Sequence, residues 1–474
     1  MTKEGHLRAF PGRLRVIVRQ ATQGFRSRHQ GTLVPALRRP WVSPRPDNRG
    51  AAHSLVGAEE FSGLGKLAFA SLWLLVFTIP WEDAITMSDF GTSARLIGTL
   101  TVGLGVLAII ERGRLRRPAP GHMIMILFVL LAAISYLWSL YPEGTLVQAF
   151  TYIQLFTMVW LIWELAARGR EQTRLMQAYV LGTFISGIDT VYRFLSHQES
   201  AYQRYAGARL DANDLGIIMA LSIPISYYLL LQNRGRMAWV YRLQLALAGT
   251  TVLLTASRAA TLACLVALAI VPLTHARLTG RQRIAVLLTI SLLVFGALLF
   301  VPSTSWERLS TTPSEFAQGT LTGRTVIWAA GWELFCEHPF LGVGANAFRL
   351  MVSRVLAKPI NMAGLASTPV AHNTFLSVLV EQGVIGLTLF CALLSVLALS
   401  LRLMPPFPQK LWIVCLGVWM VGVSSLTWET RKPTWFFFGL LVAQCGSMAQ
   451  KRPTRSHAPG LAEAQLFLLR ASRP

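Results

Sequence analysis

Long apolar runs recur along this chain, and they restrict its fold more than any other feature. Each run has about 17 to 25 residues, enough for one helix to cross a hydrocarbon core roughly 30 Å thick. Of the 474 residues, 53% are hydrophobic and only 14% are charged. This balance is too apolar for a soluble multidomain protein. The sequence therefore predicts an all-α polytopic membrane protein.

About twelve transmembrane helices are predicted from the length and hydropathy of the runs. They begin near Leu67, Leu96, Met123, Leu146, Leu175, Leu215, Ala238, Arg258, Ile284, Thr374, Leu411 and Thr434. Residues 302–372, between the ninth and tenth spans, form a long stretch that is too polar for a membrane, and short helices are predicted within it. Because long ordered connections usually carry function, we expect this loop to take part in the chemistry of the protein.

The distribution of Arg and Lys predicts how the spans are oriented. The net charge is +22, but the basic residues stand in small clusters without the aromatic interleaving expected of a nucleic-acid groove. Every second connection is basic, around residues 112–117, 168–174, 234–242, 277–283, 402–410 and 451–455. The positive-inside rule therefore predicts both termini in the cytoplasm and loop 302–372 outside the membrane.

Three regions are expected along the chain. Residues 1–60 are rich in Arg and contain few acidic residues, so they are predicted to form a disordered basic tail in the cytoplasm, next to anionic lipid. A mistaken upstream start codon is the alternative explanation of this segment. Residues 66–450 form the membrane domain, including the external loop 302–372. Residues 451–474 form a cytoplasmic C-terminal tail.

Local signals predict two helices in the loop. Thr322 is the expected cap of the first helix and Pro339 its end, and one apolar face of that helix contains Ile327, Trp328, Gly331, Leu334 and Phe335. This face is expected to pack on the membrane domain or to dip into the membrane interface. Gly342 and Gly344 predict a turn, and Asn346 is the expected cap of the second helix.

His372 is the first candidate for catalysis, because it opens the helix that follows the loop on the predicted external side. Asn373 is the expected cap of that helix, which leaves the imidazole facing outwards. A histidine in a capping turn at the membrane interface is the plainer alternative. His338 lies on the same side.

Three arginines on this side are candidates for binding an anion. Arg258 follows Ser257 in a tight turn, where an anchor for lipid headgroups is the default role and an anion clamp the alternative. Arg324 is predicted in the first turn of a helix, where the helix dipole disfavours a cation by about 0.3 to 1 kcal/mol unless an anion also binds. Arg209 belongs to a polar cluster in which Asp211 or Asn213 is the expected cap of the next span.

Acidic residues and missing motifs complete the site predictions. Glu381 is expected about 13 Å below His372 along a continuous helix, a depth at which a carboxylate is often functional. Asp189 and Arg193 are four residues apart and are predicted to form a structural ion pair. The sequence has no Asp-x-Asp, His-Glu-x-x-His, Gly-x-Ser-x-Gly or P-loop motif, so an enzyme of this kind is expected to work without a metal or cofactor.

Six fragments together resemble the O-antigen ligase superfamily, which also contains polymerases of lipid-linked polysaccharides. They are DANDLG (211–216), TASRAA (255–260), GRTVIW (323–328), EHPFLGVG (337–344), AHNTFL (371–376) and EQGVIG (381–386). Each fragment alone is weak evidence, whereas their order, spacing and common side of the membrane are specific. The resemblance covers residues 66–450.

The resemblance implies a glycosyltransferase of the bacterial inner membrane with its site facing the periplasm. Its donor would be a glycan on undecaprenyl diphosphate, and its acceptor lipid A core or another glycan. Arg258 and Arg324 match the essential arginines of the superfamily and His372 its essential histidine. Arg209, His338 and Glu381 are weaker candidates for contacts with the diphosphate or the sugar. A polymerase of the same superfamily is the first alternative.

A flippase or transporter of lipid-linked oligosaccharides is the alternative from a different class. Transporters usually carry polar groups and broken helices near the middle of the membrane, often in repeated halves. Here the notable charges cluster at the predicted outer face instead. The sequence therefore favours transfer chemistry over transport.

Overall fold

The computed structural model describes residues 62–87, 91–198, 204–284, 287–288, 291, 324–356 and 369–449. Within this part, the α-helices are α1 Gly63–Thr78, α2 Ser93–Arg112, α3 Pro120–Ile134, α4 Pro142–Leu165, α5 Gly169–Leu195, α6 Ala212–Gln232, α7 Arg236–Leu254, α8 Arg258–Leu268, α9 Ile270–Thr274, α10 Arg324–Glu337, α11 Phe348–Val355, α12 Thr374–Ser400, α13 Pro406–Val423 and α14 Lys432–Ala449. The predicted tails 1–60 and 451–474 lie outside the described residues, as do Thr322 and the first part of loop 302–372.

The described helices agree with the predicted spans except at one place. Each predicted span coincides with a helix, apart from the span near Ile284, most of which lies outside the described residues. Eight of the described helices are long and apolar enough to cross a membrane. The pair α8 and α9 is apolar but shorter, and α5 and α14 are not among the eight. The count of about twelve spans therefore stays a prediction.

One small departure from the all-α prediction lies between α1 and α2. Strands β1 (Thr86–Met87) and β2 (Gly91–Thr92) pair antiparallel, with Thr86 opposite Thr92. Two residues per strand are too few to form a sheet domain. The fold is therefore helical, with a short β-pair in one connection.

Helix α6 is the centre of the bundle. Nearly all of its side chains are buried, and it packs against α7, α8 and α13. A helix that is apolar on every side is expected in the interior of a bundle rather than at its surface. The outer helix α2, by contrast, exposes most of its apolar side chains.

Hydrogen bonds between distant connections show which of them share an end of the bundle. Arg204 Nε donates to the Thr255 carbonyl at 2.8 Å, and Thr374 Oγ1 donates to the Leu426 carbonyl at 2.8 Å. Trp138 Nε1 donates to the Leu341 carbonyl at 3.2 Å. We call this end the loop end. The basic connections within the described residues lie at the opposite end, the basic end, where Lys410 Nζ donates to the Leu273 carbonyl at 2.7 Å. Basic and non-basic connections thus segregate between the two ends.

Helix caps follow the local signals in most places. The Asp211 carboxylate accepts a hydrogen bond from the Asn213 backbone N–H at 2.8 Å before α6, and Asn373 Oδ1 accepts from the Leu376 N–H at 3.1 Å in α12. Helix α10 ends before Pro339, as predicted. The cap predicted at Asn346 is wrong, because Ala347 precedes α11. Asn346 has a φ of 63° and instead donates from its amide to the Gly144 carbonyl at 3.2 Å.

Helix α12 is broken within its length, two residues after Glu381. Gly383 breaks it with φ 64° and ψ −167°, and residues 339–344 dock across the break. The Val343 N–H donates to the Val380 carbonyl, the Gly344 N–H to the Glu381 carbonyl and the Val384 N–H to the Pro339 carbonyl, each at 2.9 Å. The docked segment therefore satisfies the backbone groups that the break releases.

Two glycines make this docking possible. Gly342 has a φ of 69°, and a Cβ on it would lie 2.4 Å from the Glu381 carbonyl carbon. A Cβ on Gly383 would lie 2.2 Å from the Phe340 carbonyl oxygen. Both the positive φ and the close approach of two backbones require glycine. The fragments EHPFLGVG and EQGVIG are thus the two halves of one contact.

Replacing Gly383 by Ala should loosen this contact. The positive φ alone costs a side chain about 1 to 3 kcal/mol, and the Phe340 carbonyl must also move, so we expect the apparent melting temperature in detergent to fall by several degrees. Gly103→Ala in α2 is the matched control, because a Cβ there meets nothing within 4 Å. Equal melting temperatures for the two variants would contradict the docking.

Candidate functional site

His372 lies at the junction between the loop helices and the membrane helices. Its backbone has a φ of 48°, and it stands between Ala371 and the start of α12. The Trp328 indole of α10 donates to the Ala371 carbonyl at 2.8 Å, which holds α10 against this turn. Among the described residues, the buried Nδ1 of His372 has no hydrogen-bond partner. Its imidazole is therefore a candidate to bond a ligand.

The charges around His372 come from three separate elements. The pKa of its imidazole is lowered to about 4, chiefly by burial and then by the positive charges of Arg324 and Arg349, with the negative charge of Asp211 acting against them. The structure thus brings Arg324 from α10, Arg349 from α11 and Asp211 from the start of α6 to one imidazole. At neutral pH this imidazole is uncharged and able to accept a proton.

Arg258 begins α8 at the same end of the bundle and is half-buried. The preceding residue, Ser257, donates from its hydroxyl to Asn213 Oδ1 at 2.9 Å. Asn213 also accepts from Arg204 Nη2 at 2.8 Å. These bonds fasten the turn before α8 to the first turn of α6, two residues from Asp211. Arg258 therefore begins its helix beside the element that contributes Asp211 to the His372 environment.

The connection between α13 and α14 is fastened to the same end by charged groups. Asp214 Oδ1 accepts from Trp428 Nε1 at 2.7 Å, and its Oδ2 accepts from Arg431 Nη2 at 2.6 Å. The buried Glu429 carboxylate accepts from the Ser377 hydroxyl of α12 at 2.8 Å. Burial raises the pKa of Glu429 to about 7. Three membrane helices are thereby joined below the His372 turn.

Residues 243–391 match the family model described as O-antigen ligase. This region belongs to the O-antigen ligase superfamily. The superfamily resemblance is therefore confirmed for this region, which contains five of the six fragments and includes Arg258, Arg324, His338, His372 and Glu381, whereas DANDLG (211–216) and Arg209 lie outside it. A search of the curated proteins gives no match.

The superfamily sets the general chemistry. The match to the O-antigen ligase model indicates a glycosyltransferase-like enzyme that acts on a lipid-linked glycan and an acceptor. The apolar helices and the ligase region together indicate a multi-pass membrane protein.

The three weaker site candidates of the ligase prediction lie in different settings. Arg209 is exposed and has a φ of 56°, and its Nη1 donates to Thr86 Oγ1 in β1 at 3.0 Å. His338 is half-buried where α10 ends, and its carbonyl accepts from the Gly342 N–H at 3.1 Å. Glu381 is buried, and its Oε1 accepts from the Phe348 N–H at 3.3 Å. Their contacts with a substrate stay predictions.

Glu381 has an evident structural role in the ligase region. Phe348 is the first residue of α11, so the carboxylate accepts a hydrogen bond from the positive end of that helix dipole. Glu381 lies in the first part of α12, before the break at Gly383. Arg349, the next residue of α11, interacts electrostatically with both Glu381 and Glu429. The acid therefore orients the helix that carries Arg349.

Sequence reasoning missed Arg204, Arg349 and Glu429. Arg204 lies five residues before Arg209, and a basic residue so close to the DANDLG fragment was a usable signal. Arg349 lies five residues after Gly344, in the first turn of α11, where the dipole argument applied to Arg324 applies as well. Glu429 carries no local pattern, because its partner Ser377 is 52 residues away.

The effect of the neighbouring charges on the pKa of His372 can be tested without an activity assay. Neutral imidazole reacts with diethyl pyrocarbonate and imidazolium does not, so the labelling rate of His372, followed by mass spectrometry, should be half-maximal near pH 4. Arg349→Gln removes a positive neighbour and favours the charged imidazole, so the midpoint should move to higher pH. The exposed Arg354 of α11 supplies the control Arg354→Gln, which should leave the midpoint unchanged. The same midpoint in all three proteins would contradict the proximity of Arg349.

Proposed function

We propose that this chain is an inner-membrane glycosyltransferase of the O-antigen ligase type. It transfers a glycan from undecaprenyl diphosphate to an acceptor hydroxyl, such as one on lipid A core. The observation that carries the proposal is the convergence of Arg324 and Arg349 on the neutral His372 within a region that matches the O-antigen ligase model. The loop end faces the periplasm and both termini lie in the cytoplasm, which is supported by the basic connections at the other end.

The transfer breaks the bond between the anomeric carbon of the donor sugar and the diphosphate. The acceptor oxygen forms the new glycosidic bond, and undecaprenyl diphosphate leaves with developing negative charge. Arg258 and Arg324 bind this leaving group, because guanidinium groups are always charged and bond phosphate oxygens in pairs. In a site without water each such contact is worth about 3 to 4 kcal/mol. Guanidinium groups thus supply the positive charge that a metal ion supplies in other transferases.

His372 takes the proton of the acceptor hydroxyl as a general base, a contribution of about 10² to 10⁴ in rate. Before the donor binds, the neighbouring arginines favour the neutral imidazole. The bound diphosphate offsets those positive charges, so the pKa of His372 rises and the imidazole becomes a stronger base. Donor binding therefore prepares the base for the second substrate.

A polymerase of the same superfamily is the alternative to this proposal. It would transfer the growing glycan to another lipid-linked repeat, with the same leaving group and the same histidine. The two differ in the acceptor alone. Arg209, His338 and Glu381 are proposed as further contacts to the diphosphate or to sugars, because they lie at the same end of the bundle.

Substitution of the site residues tests the chemistry. His372→Ala should lower the transfer rate by about 10² to 10⁴, and Arg324→Lys by about 10² or more because lysine cannot bond two phosphate oxygens in one plane. The exposed residues His197 and Arg354 supply the controls His197→Ala and Arg354→Lys, which should keep the rate within about twofold. Membrane insertion and melting temperature confirm folding. Retained transfer in a folded His372→Ala protein would defeat the assignment.

The acceptor is tested with purified protein and a lipid-linked glycan, with and without lipid A core. A ligase should attach the glycan to the core and leave the donor intact when the core is absent. Mass spectrometry or gel analysis of the glycolipids distinguishes the products. Elongated lipid-linked glycan in the absence of core would exclude the ligase and favour the polymerase.

A further inference from the structure

A second buried polar cluster lies at the basic end, on the opposite side of the bundle from His372. It joins the end of α2, the start of α3 and the end of α4, and we call it the Arg116 cluster: Arg112, Arg116, His122, Trp163 and Glu164. The fully buried Glu164 carboxylate pairs with Arg112 and accepts from the Arg116 N–H at 2.9 Å. The guanidinium of Arg116 lies over the Trp163 ring, with its Cζ 3.9 Å from the ring centroid.

Three buried donors of this cluster lack an acceptor. His122 Nδ1 accepts from the Ala119 N–H at 3.1 Å, so the neutral imidazole carries its proton on Nε2. The His122 and Trp163 rings meet edge to face, with centroids 5.0 Å apart. In the part of the chain that the structure describes, His122 Nε2, Trp163 Nε1 and Arg116 Nη2 are all buried without a hydrogen-bond partner.

Unpaired buried donors are rare in native proteins, and each one is costly. Here all three groups are donors, so the missing partner must offer acceptors. Within the cluster, Arg112 and Arg116 face the single carboxylate of Glu164, which leaves one positive charge. Water can satisfy the hydrogen bonds but not this charge. An anion with several oxygens satisfies both, and phosphate oxygens are the preferred partners of a guanidinium.

The surface beside the cluster indicates where that phosphate comes from. The neighbouring turns of α2 and α3, and the connection between them, expose apolar side chains: Ile110 (68%), Leu115 (63%), Met123 (44%) and Leu127 (53%). In a multi-pass membrane protein such faces contact acyl chains, and the ends of the helices lie at the depth of the headgroups. A free phosphate ion has no apolar part that could contact these exposed side chains. A phospholipid places its phosphate and its chains at the two sites together.

We propose that the Arg116 cluster binds the headgroup phosphate of an anionic phospholipid. The phosphate accepts from Arg116, His122 and Trp163, and the acyl chains lie along the exposed faces of α2 and α3. This site is separate from the proposed donor site, because the two lie at opposite ends of the bundle. The lipid completes the hydrogen bonding of the α2–α3 connection.

Native mass spectrometry of the purified full-length protein, with phosphatidylglycerol titrated into detergent, tests the proposal. The wild type should retain this lipid, and Arg116→Gln and His122→Asn should each weaken its binding by about tenfold or more, the effect of losing a hydrogen bond to a charged group. Asn at position 122 can still accept from the Ala119 N–H, so His122→Asn decides the question if Arg116→Gln does not fold. Arg117→Gln removes an equal charge from the same turn, at an exposed residue, and should weaken binding by about twofold or less.

Two outcomes would overturn the proposal. One is that phosphatidylglycerol binds the wild type, Arg116→Gln and His122→Asn equally, or that Arg117→Gln weakens it as much as they do. The other comes from inorganic phosphate in the same detergent. If phosphate raises the melting temperature of the wild type but not of Arg116→Gln, while phosphatidylglycerol changes the melting temperature of neither protein, the cluster binds a free anion instead of a lipid.

Discussion

A break in a helix within an apolar bundle is tolerated only when other groups satisfy the backbone that it releases. In α12 the break at Gly383 depends on residues 339–344, whose N–H and carbonyl groups pair with both sides of it. The same segment bonds the α3–α4 connection, where the Leu140 N–H donates to the Val343 carbonyl at 2.9 Å. One short stretch thus fixes the loop helices to two membrane helices. The position of every loop residue near His372 depends on this contact.

The charged groups of the loop end divide into two kinds. Asp214, Glu381 and Glu429 each accept a hydrogen bond from another element and so hold connections together. His372 differs, since its Nδ1 is buried without a partner among the described residues while the charges of Arg324 and Arg349 act on it. Glu429 is intermediate, because its Oε2 is also buried without a partner among the described residues. A group that exchanges a proton with a substrate needs a nitrogen or oxygen that the protein does not already bond.

The parts of the fold that sequence reasoning predicted are those that local rules decide. Asp211 and Asn373 cap their helices, α10 ends before Pro339, and the Asp189 and Arg193 side chains pair at 3.1 Å. Each depends on residues within four positions of one another. The segregation of basic connections to one end was likewise visible, because it follows from alternation along the chain.

The parts that sequence reasoning missed depend on long-range contacts. Nothing in EQGVIG by itself separates a glycine inside a helix from a break, since the break forms only when EHPFLGVG docks on it. Asn346 has the right residue type for a cap, but its amide is used on Gly144, 202 positions away. Arg204 finds its acceptor at Thr255, and Glu429 its donor at Ser377. A residue type indicates what a group can bond, and the packing decides which partner it meets.

In the proposed mechanism, the described loop helices α10 and α11 act as a lid rather than as a separate catalytic domain. They share a small apolar core with α12, formed by Ala330, Leu334, Val343, Ala347, Phe348, Met351, Val352, Ala371 and Val380. Arg324 and Arg349 lie on helices that form this core, whereas Arg258 lies on α8, whose buried alanines belong to the large core of the bundle. A small core opens at a lower free energy than a large one. In the proposed mechanism the lid can therefore release a long lipid-linked glycan while Arg258 and the membrane helices keep their places.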